Sequence, residues 1–494
     1  MGDRLDVIVI GAGMGGLSAA IKLAAAGLRV RVYEAEDAPG GKLGAEVIDG
    51  VEFDTGPSLL TMSSVLSDVL AAAGATLEEE LELVRLDPAF RYVWPDGAEL
   101  EVRHELSDTL ASVRASLGAK AEAEYAAFMA YSKEIWESAR PNFIDGAAPD
   151  LKRVVKLSLT RLPALMRIDP LRTMAQGIGR HVQDRHLLDV FWRYATYNGS
   201  DPRSAPATLN CIPWVEQGLG AWGVSGGMKS IPRALERVGE RLGVEYVYGA
   251  RVARIDVERG RTRAVALEDG QVVRADAIVA NADVAHVIAD LLPRREARAL
   301  STGGEPSMSG WNAIMRADAS RERAPHTVLF PERYVEEFED IFDHGRPPRE
   351  PTVYMCAQSR SHGRAGWEDG EPVFVMANAP CEPARGETAQ AVWDDLEARV
   401  LGRLERAGLR RADEELVWTR TPTDLARRFV GSRGSIYGAA SNSQLSAFKR
   451  PPNAVASIPG LYLASGSAHP GGGVPLCLMS GQTAASALLR DRGA

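Results

Sequence analysis

The chain has 494 residues, 57 of them basic and 66 acidic, for a net charge of −9. Apolar residues make up 45% and charged residues 25%; this balance is that of an ordinary folded protein and excludes a disordered, collagenous or coiled-coil chain. The length suits two or three domains or one large composite fold. The acidic balance argues against nucleic acid as a partner, because a phosphate footprint needs a basic surface. Cys211, Cys356, Cys381 and Cys477 show neither CxxC nor metal-ligand spacing, and the histidines form no HxxxH or HExxH pattern. No metal site or disulfide framework is therefore expected, and the expected compartment is a reducing cytoplasm. No apolar stretch reads as a transmembrane helix or a signal peptide.

In chain order, Asp6–Ile10 (DVIVI) reads as a buried parallel strand, Leu17–Ala26 as a helix ended by Gly27, and Leu28–Tyr33 as a second strand. Phe90–Arg103 reads as a hairpin turning at Pro95-Asp96-Gly97. Ala119–Arg140 has the pattern of an amphipathic helix closed by Pro141, with Tyr125, Phe128, Met129, Ile135 and Trp136 on its apolar face. Ile231, Leu235, Val238 and Leu242 form the stripe of another helix. A three-stranded meander is expected over Arg251–Val257, Thr262–Leu267 and Gln271–Arg274. Short strands follow at Ala277–Ala280 and Gly460–Ala464, then a terminal helix over Pro475–Arg490. The nucleotide-type pieces lie at both ends and near the middle, so a discontinuous cofactor domain is expected.

Gly11-Ala12-Gly13-Met14-Gly15-Gly16 is a GxGxxG segment that follows a strand, opens a helix and precedes Glu34 by 18 residues from Gly16. In such a unit Gly11 permits the tight turn, Gly13 the approach of a pyrophosphate and Gly16 the packing of helix on sheet. The helix N-terminus offers free N–H groups and a partial positive charge to the phosphates. Glu34 can accept hydrogen bonds from both ribose hydroxyls. A second GxGxxG, Gly218 to Gly223, has no strand before it and no helix after it. It reads as a loop, which favours a tightly held FAD over an exchanging nicotinamide. Glu34 is followed by Gly40-Gly41-Lys42, whose glycines let the chain pass close to the ribityl and phosphate region and whose lysine can pair with phosphate. Gly466-Ser467-Ala468-His469-Pro470-Gly471-Gly472-Gly473-Val474-Pro475 leads into the terminal helix; its glycines allow close approach to a flat ring, and the helix end can stabilise negative charge on a reduced flavin.

With these motifs on it, the sequence resembles the carotenoid desaturase family of the bacterial phytoene-desaturase type, within the FAD amine-oxidase-like superfamily. The resemblance runs nearly the whole length. It is carried by the opening GAGMGGLSAAIKLAAAGLRVRVYEAEDAPGGK, by Phe53-Asp54-Thr55-Gly56-Pro57-Ser58, by Gly226-Gly227-Met228 and by Val279-Ala280-Asn281-Ala282-Asp283. Later matches are His326 to Phe330, Tyr334 to Phe342, Gly434 to Gly438, Ala447 to Pro451 and, most specifically, HPGGGVP. Met228 and the run Val474-Pro475-Leu476 resemble the branch acting on hydroxylated or otherwise modified carotenoids. The resemblance implies an α/β fold: a discontinuous Rossmann-like FAD domain (1–80, 215–290 and 452–494) and a mixed-sheet substrate domain (81–214 and 291–451). Within the latter, 142–214 would be a helical, membrane-associating segment. It implies that Gly11, Gly13, Gly16, Glu34, Gly40, Gly41 and Lys42 bind FAD, that Val252 meets the adenine through its backbone, and that Gly466, Gly473, Val474 and Pro475 line the flavin end.

The activity so implied is removal of hydrogen from a long polyene, with hydride passing to the flavin and the electrons then to a quinone or oxygen. Alignment and exclusion of water matter more here than a strong base. Glu216, His326 and His469 are the candidates for a weak one. Competing readings are a flavin amine oxidase, a carotenoid cis–trans isomerase and a non-catalytic prenyl-binding escort protein. Leu151–Arg180 carries seven basic residues and one acid, interleaved with leucines and broken at Pro163 and Pro170. This pattern suits the surface of an anionic membrane, so the expected location is cytoplasmic and peripheral to the membrane.

Overall fold

A computed structural model describes residues 5–148, 166–444 and 446–493. Five parallel strands form one sheet, in the order Glu245–Val247, Arg29–Tyr33, Asp6–Ile10, Ala277–Ala280 and Leu461–Leu463. Asp6–Ile10 lies at its centre with Val7 to Ile10 buried, which explains an uninterrupted apolar run in place of alternation. The register sets Ile10 beside both Tyr33 and Ala280, so three strands end side by side at Gly11, Glu34 and Asn281. The chain leaves the central strand toward one neighbour and later returns on the other side, and a crevice at the strand carboxyl ends is the usual ligand site of such sheets.

The helix Met14–Ala25 covers this sheet and is covered in turn by the terminal helix Val474–Arg492. The two cross closely because Gly481 lies on Gly15 and Ala19: a Cβ on Gly481 would come within 2.9 Å of the Ala19 nitrogen. Ser18 Oγ donates to the Leu478 carbonyl at 2.8 Å across the same contact. The expected meander forms over Val252–Glu258, Arg261–Leu267 and Val272–Arg274.

A second, seven-stranded sheet runs Glu415–Arg420, Ser309–Asp318, Gly370–Ala379, Val353–Ala357, His326–Leu329, Phe90–Val93 and Glu99–Val102. It is antiparallel except where His326–Leu329 runs parallel to Phe90–Val93. Trp393, Leu396, Val400 and Leu404 of the helix Gln390–Arg406 seal one face. Ile314, Cys356 and Phe374 on the other face pack on Phe53, with Tyr354, Met376 and Trp418 half-buried beside them.

Two sequence expectations need correction. Ala221–Val224, which overlaps the end of the second GxGxxG, is a strand between Leu60–Thr61 and Leu83–Arg85; its short partners come from remote parts of the chain, so no local signal marks it. The helix Ala119–Ala139 ends before Pro141 as expected, and the chain continues into a wide turn, Arg140–Ile144, which accommodates the proline at its start, where a missing N–H costs least. The nucleotide-binding helix begins at Met14, a turn earlier than its apolar stripe indicates.

Residues 151–165 of the basic segment lie outside the described residues. In the described part, Met166 and Leu171 are 56% and 79% exposed. Arg167 and Arg172 are not free charges: they pair with Glu134 at 3.2 Å and Asp169 at 2.8 Å. Among the described residues no helix is long and apolar enough to cross a membrane.

Candidate functional site

The first strand delivers Gly11 into a turn closed by its N–H on the Tyr33 carbonyl at 2.8 Å. Buried Glu34 is locked beside that turn: Oε2 accepts from the Ala12 N–H at 2.6 Å and Oε1 from the Glu36 N–H at 2.9 Å. Each carboxylate oxygen keeps acceptor capacity for a further donor such as a ribose hydroxyl. The Ala250 N–H donates to the Glu34 carbonyl at 2.8 Å, which brings Val252 and the start of the meander alongside. Gly40 donates to the Ala12 carbonyl at 2.8 Å, so the second glycine loop lies directly on the first. No side chain caps the helix at Gly13, which leaves its first N–H groups for an anion.

Within the protein the glycines of the fingerprint are closely packed. A Cβ on Gly13 would overlap the Asn281 side chain, whose Nδ2 donates to the Ala464 carbonyl. A Cβ on Gly15 would overlap the Ala464 carbonyl itself, and one on Gly16 the Gly11 carbonyl. Gly15, a variable position of the motif, is thus as confined as Gly13 and Gly16. Neither it nor Asn281 stood out as a site residue in the sequence, because the contact comes from the end of a distant strand.

At the other end of the cleft, the terminal helix starts at Val474, with Pro475 in its first turn and Gly473 at its head in a conformation of positive φ. Gly466 packs on Gly472 and Cys477. Lys42 Nζ donates to the carbonyls of Ser435 at 2.7 Å and Ile436 at 3.2 Å, near the head of the terminal helix. Arg450 donates to the carbonyls of Ala439 at 2.8 Å and Gly466 at 3.1 Å, and Arg420 to that of Thr55. Among the described residues none of these three cations pairs with a carboxylate. Burial lowers the pKa of each, Arg420 and Arg450 to about 10, with Asp283 opposing the shift at Lys42. Uncompensated buried cations, free helix N–H groups and Glu34 together suit a dinucleotide that brings a pyrophosphate and a ring able to carry negative charge.

Two motifs separated in sequence meet here. Asp54 accepts from the N–H groups of Met228 at 2.7 Å and Lys229 at 3.1 Å and from Arg364 at 3.0 Å. Gln358 brackets its backbone at 2.9 and 2.8 Å.

Residues 14–489 match the family described as flavin containing amine oxidoreductase. The chain belongs to that family. It is 39% identical to a hydroxyneurosporene desaturase of Rhodobacter capsulatus over 498 residues, covering 100% of this chain and 99% of that one. It is 32% identical to a 1-hydroxycarotenoid 3,4-desaturase of a Flavobacterium species, covering 97% and 98%. These relatives place it among the carotenoid desaturases of the family, as an oxidoreductase with FAD as its cofactor. The fold is shared with an oxidoreductase of Methanosarcina mazei, with a TM-score of 0.62 at 18% identity, covering 96% of this chain and 99% of that one.

Within this flavoprotein fold the three candidate bases fall in different surroundings. Glu216 is 2% exposed. Its oxygens accept from Tyr194 Oη at 2.5 Å and from Tyr197 Oη, and Arg193 lies 3.8 Å away. His326 is buried in the seven-stranded sheet with Nδ1 2.8 Å from Tyr354 Oη, while Nε2 has no hydrogen-bond partner among the described residues. Desolvation, with smaller contributions from His362 and Arg193, holds its pKa well below the ordinary value, so the ring is neutral. His469 turns Nε2 toward the Gly146 carbonyl at 3.2 Å. The His326 ring lies 5.0 Å from that of Phe90, and Phe90 lines one small cleft together with Glu216. Arg193, Tyr194 and Tyr197, missed in the sequence, lie on one 3₁₀ turn, Arg193–Asn198. The three-residue spacing of the tyrosines, which eclipses their side chains on such a turn, is the signal that could have found them.

Proposed function

We propose that the protein is an FAD-dependent desaturase of a hydroxylated, acyclic carotenoid. The observation that carries this reading is similarity over the whole chain to two relatives named for hydroxylated carotenoids. Bound flavin supplies the hydride acceptor. The chain supplies the rest: Gly11, Gly13, Gly16, Glu34, Gly40 and Gly41 hold the dinucleotide, and Lys42, Gly466, Gly473, Val474 and Pro475 shape the flavin end. Val252 is assigned to the adenine. The cofactor domain is assigned to 1–80, 215–290 and 452–494, which supply all five parallel strands, and the substrate domain to 81–214 and 291–451, which supply all seven strands of the other sheet.

The aromatic and thioether side chains Tyr354, Phe374, Met376 and Trp418, on the face of that sheet that packs on Phe53, suit a polyene. Such a face excludes water while charge develops along the conjugated chain, so a weakly basic group suffices to take the proton. Of the three candidates, His326 has the unengaged ring nitrogen. Segment 142–214 is assigned to the membrane surface, from which so apolar a substrate must be drawn; exposed Met166 and Leu171 support this. A quinone or oxygen is assigned as final acceptor.

The test is to purify the protein with its flavin and supply liposomes holding an acyclic 1-hydroxycarotenoid. Extension of conjugation should appear as a red-shifted product spectrum. Fully flavinylated protein that converts no carotenoid would overturn the reading.

A further inference from the structure

A buried cation normally stands against a carboxylate, because an unpaired charge out of water is costly. Arg450 departs from that pattern. It is 7% exposed, and its guanidinium meets neutral acceptors: Nη1 donates to the Gly466 carbonyl at 3.1 Å, and Nη2 to the Ala439 carbonyl at 2.8 Å and to Asn198 Oδ1 at 3.3 Å. The other two buried cations of this region have acids acting on them, Asp283 on Lys42 and Glu46 and Asp424 on Arg420. Among the described residues the acidic group acting on Arg450 is the Cys477 thiol. Burial pushes that thiol up to about 11, so it carries no charge at neutral pH, while Arg450, lowered to about 10, keeps its own.

The loop before the terminal helix fixes where this charge sits. One limb of the loop offers it the Gly466 carbonyl. On the other limb a Cβ on Gly471 would lie 3.3 Å from Arg450 Cζ. Asn453 pins the same loop, its Nδ2 donating to the carbonyls of His469 at 2.9 Å and Leu463 at 3.0 Å. The guanidinium is thus held against the segment assigned to the flavin end. A neutral oxidised ring that takes up a hydride gains one hydrogen and one negative charge, since hydride brings one proton and two electrons. A buried cation acts on such a charge through a low dielectric and is screened little by salt.

We propose that Arg450 is the counter-charge of the reduced flavin: held by Gly466, Ala439 and Asn198, it favours the anionic reduced ring over the neutral oxidised one and raises the potential at which the enzyme accepts electrons. It acts through the loop that frames the ring, as a positioning residue for negative charge. The proposal rests on the assignment of Gly466 to Pro475 to the flavin end, made above. A cation serving the pyrophosphate would hold both oxidation states alike, because the pyrophosphate keeps its charge when the ring is reduced, and a partner without differential affinity shifts no equilibrium.

The test is the two-electron midpoint potential of the flavin-loaded protein, read against reference dyes with no carotenoid present. Arg450→Gln should hold reduced flavin ten- to a hundredfold less tightly relative to oxidised flavin, a fall of about 30–60 mV. Arg450→Lys, which keeps the charge and loses part of the bonding, should recover most of that fall. Equal falls in both variants, or an unchanged potential in Arg450→Gln, would overturn the proposal. A second measurement needs only the wild type. Beside a fixed cation the reduced ring should stay anionic, taking up one proton with its two electrons as the pH is lowered to about 6; uptake of two protons would overturn the proposal as well. Gly473→Ala checks the assignment by itself, since a Cβ on Gly473 meets no atom of the described residues within 4 Å. It should weaken FAD at least tenfold and spare ADP, which lacks the ring; if both bind as they do to the wild type, the flavin end lies elsewhere and the proposal falls with that assignment. Conversion of carotenoid by the wild type is a separate readout, so the desaturase reading stands or falls on its own.

Discussion

Gly13 separates two accounts of the nucleotide fingerprint. In one, glycine is needed so that a pyrophosphate can approach; in the other, it makes room for Asn281. The backbone at Gly13 has φ −72°, open to any residue, so Gly13→Ala adds no main-chain strain. The new methyl would overlap the Asn281 amide, with its Cγ at 3.4 Å. Asn281 can turn away only by giving up its bond to the Ala464 carbonyl. One lost hydrogen bond of this kind costs about 1 kcal/mol, and overpacking adds about 1–3 kcal/mol. Gly15→Ala should be worse, because the obstacle is main chain, with the Ala464 carbonyl carbon at 2.9 Å, and cannot rotate away. The decisive experiment adds Asn281→Ala to each. Apoprotein stability by urea unfolding and FAD affinity by flavin fluorescence should both recover in Gly13→Ala/Asn281→Ala and remain impaired in Gly15→Ala/Asn281→Ala. If the first pair regains stability but not FAD affinity, the methyl obstructs the cofactor itself and the Asn281 account is wrong.

Glu34→Ala should weaken FAD binding ten- to a hundredfold, since a charged acceptor is worth about 1.5–3 kcal/mol. It should also lower apoprotein stability by freeing the Ala12 and Glu36 N–H groups; unchanged affinity on titration would contradict the placement. His362 is buried, and desolvation lowers its pKa from 6.5 to about 4, with Arg364 adding to the shift and Asp54 opposing it. The unfolded chain therefore binds a proton that the folded one refuses, and stability present above pH 6.5 should be lost as pH falls toward 4. The loss is roughly 3 kcal/mol at 1.36 kcal/mol per unit, with His326 acting in the same direction. Unfolding midpoints against pH should flatten in His362→Gln; an equal slope in both proteins would refute the assignment. Leu171→Glu should reduce flotation with anionic vesicles at least tenfold without loss of flavin, given about 1.5–3 kcal/mol for a buried leucine side chain. Equal flotation would remove Leu171 from the membrane surface.

The cofactor end of this protein was legible in the sequence because its determinants are local. A five-residue apolar strand, a glycine turn, a helix and an acidic residue follow one another within the first 34 positions, and each acts on its own neighbours. The meander and the Phe90–Val102 hairpin were readable for the same reason: turn residues and alternation are properties of adjacent positions. What the tertiary structure alone decided depends on contacts across the chain. Asn281 reaches the fingerprint because parallel pairing ends two strands side by side. Lys42 meets the carbonyls of Ser435 and Ile436, nearly 400 residues on, which only folding brings to it. Glu216 looked like any lone acid until folding enclosed it among Arg193, Tyr194 and Tyr197. A carboxylate's role is set by what desolvates and pairs it, and those groups come from elsewhere in the chain.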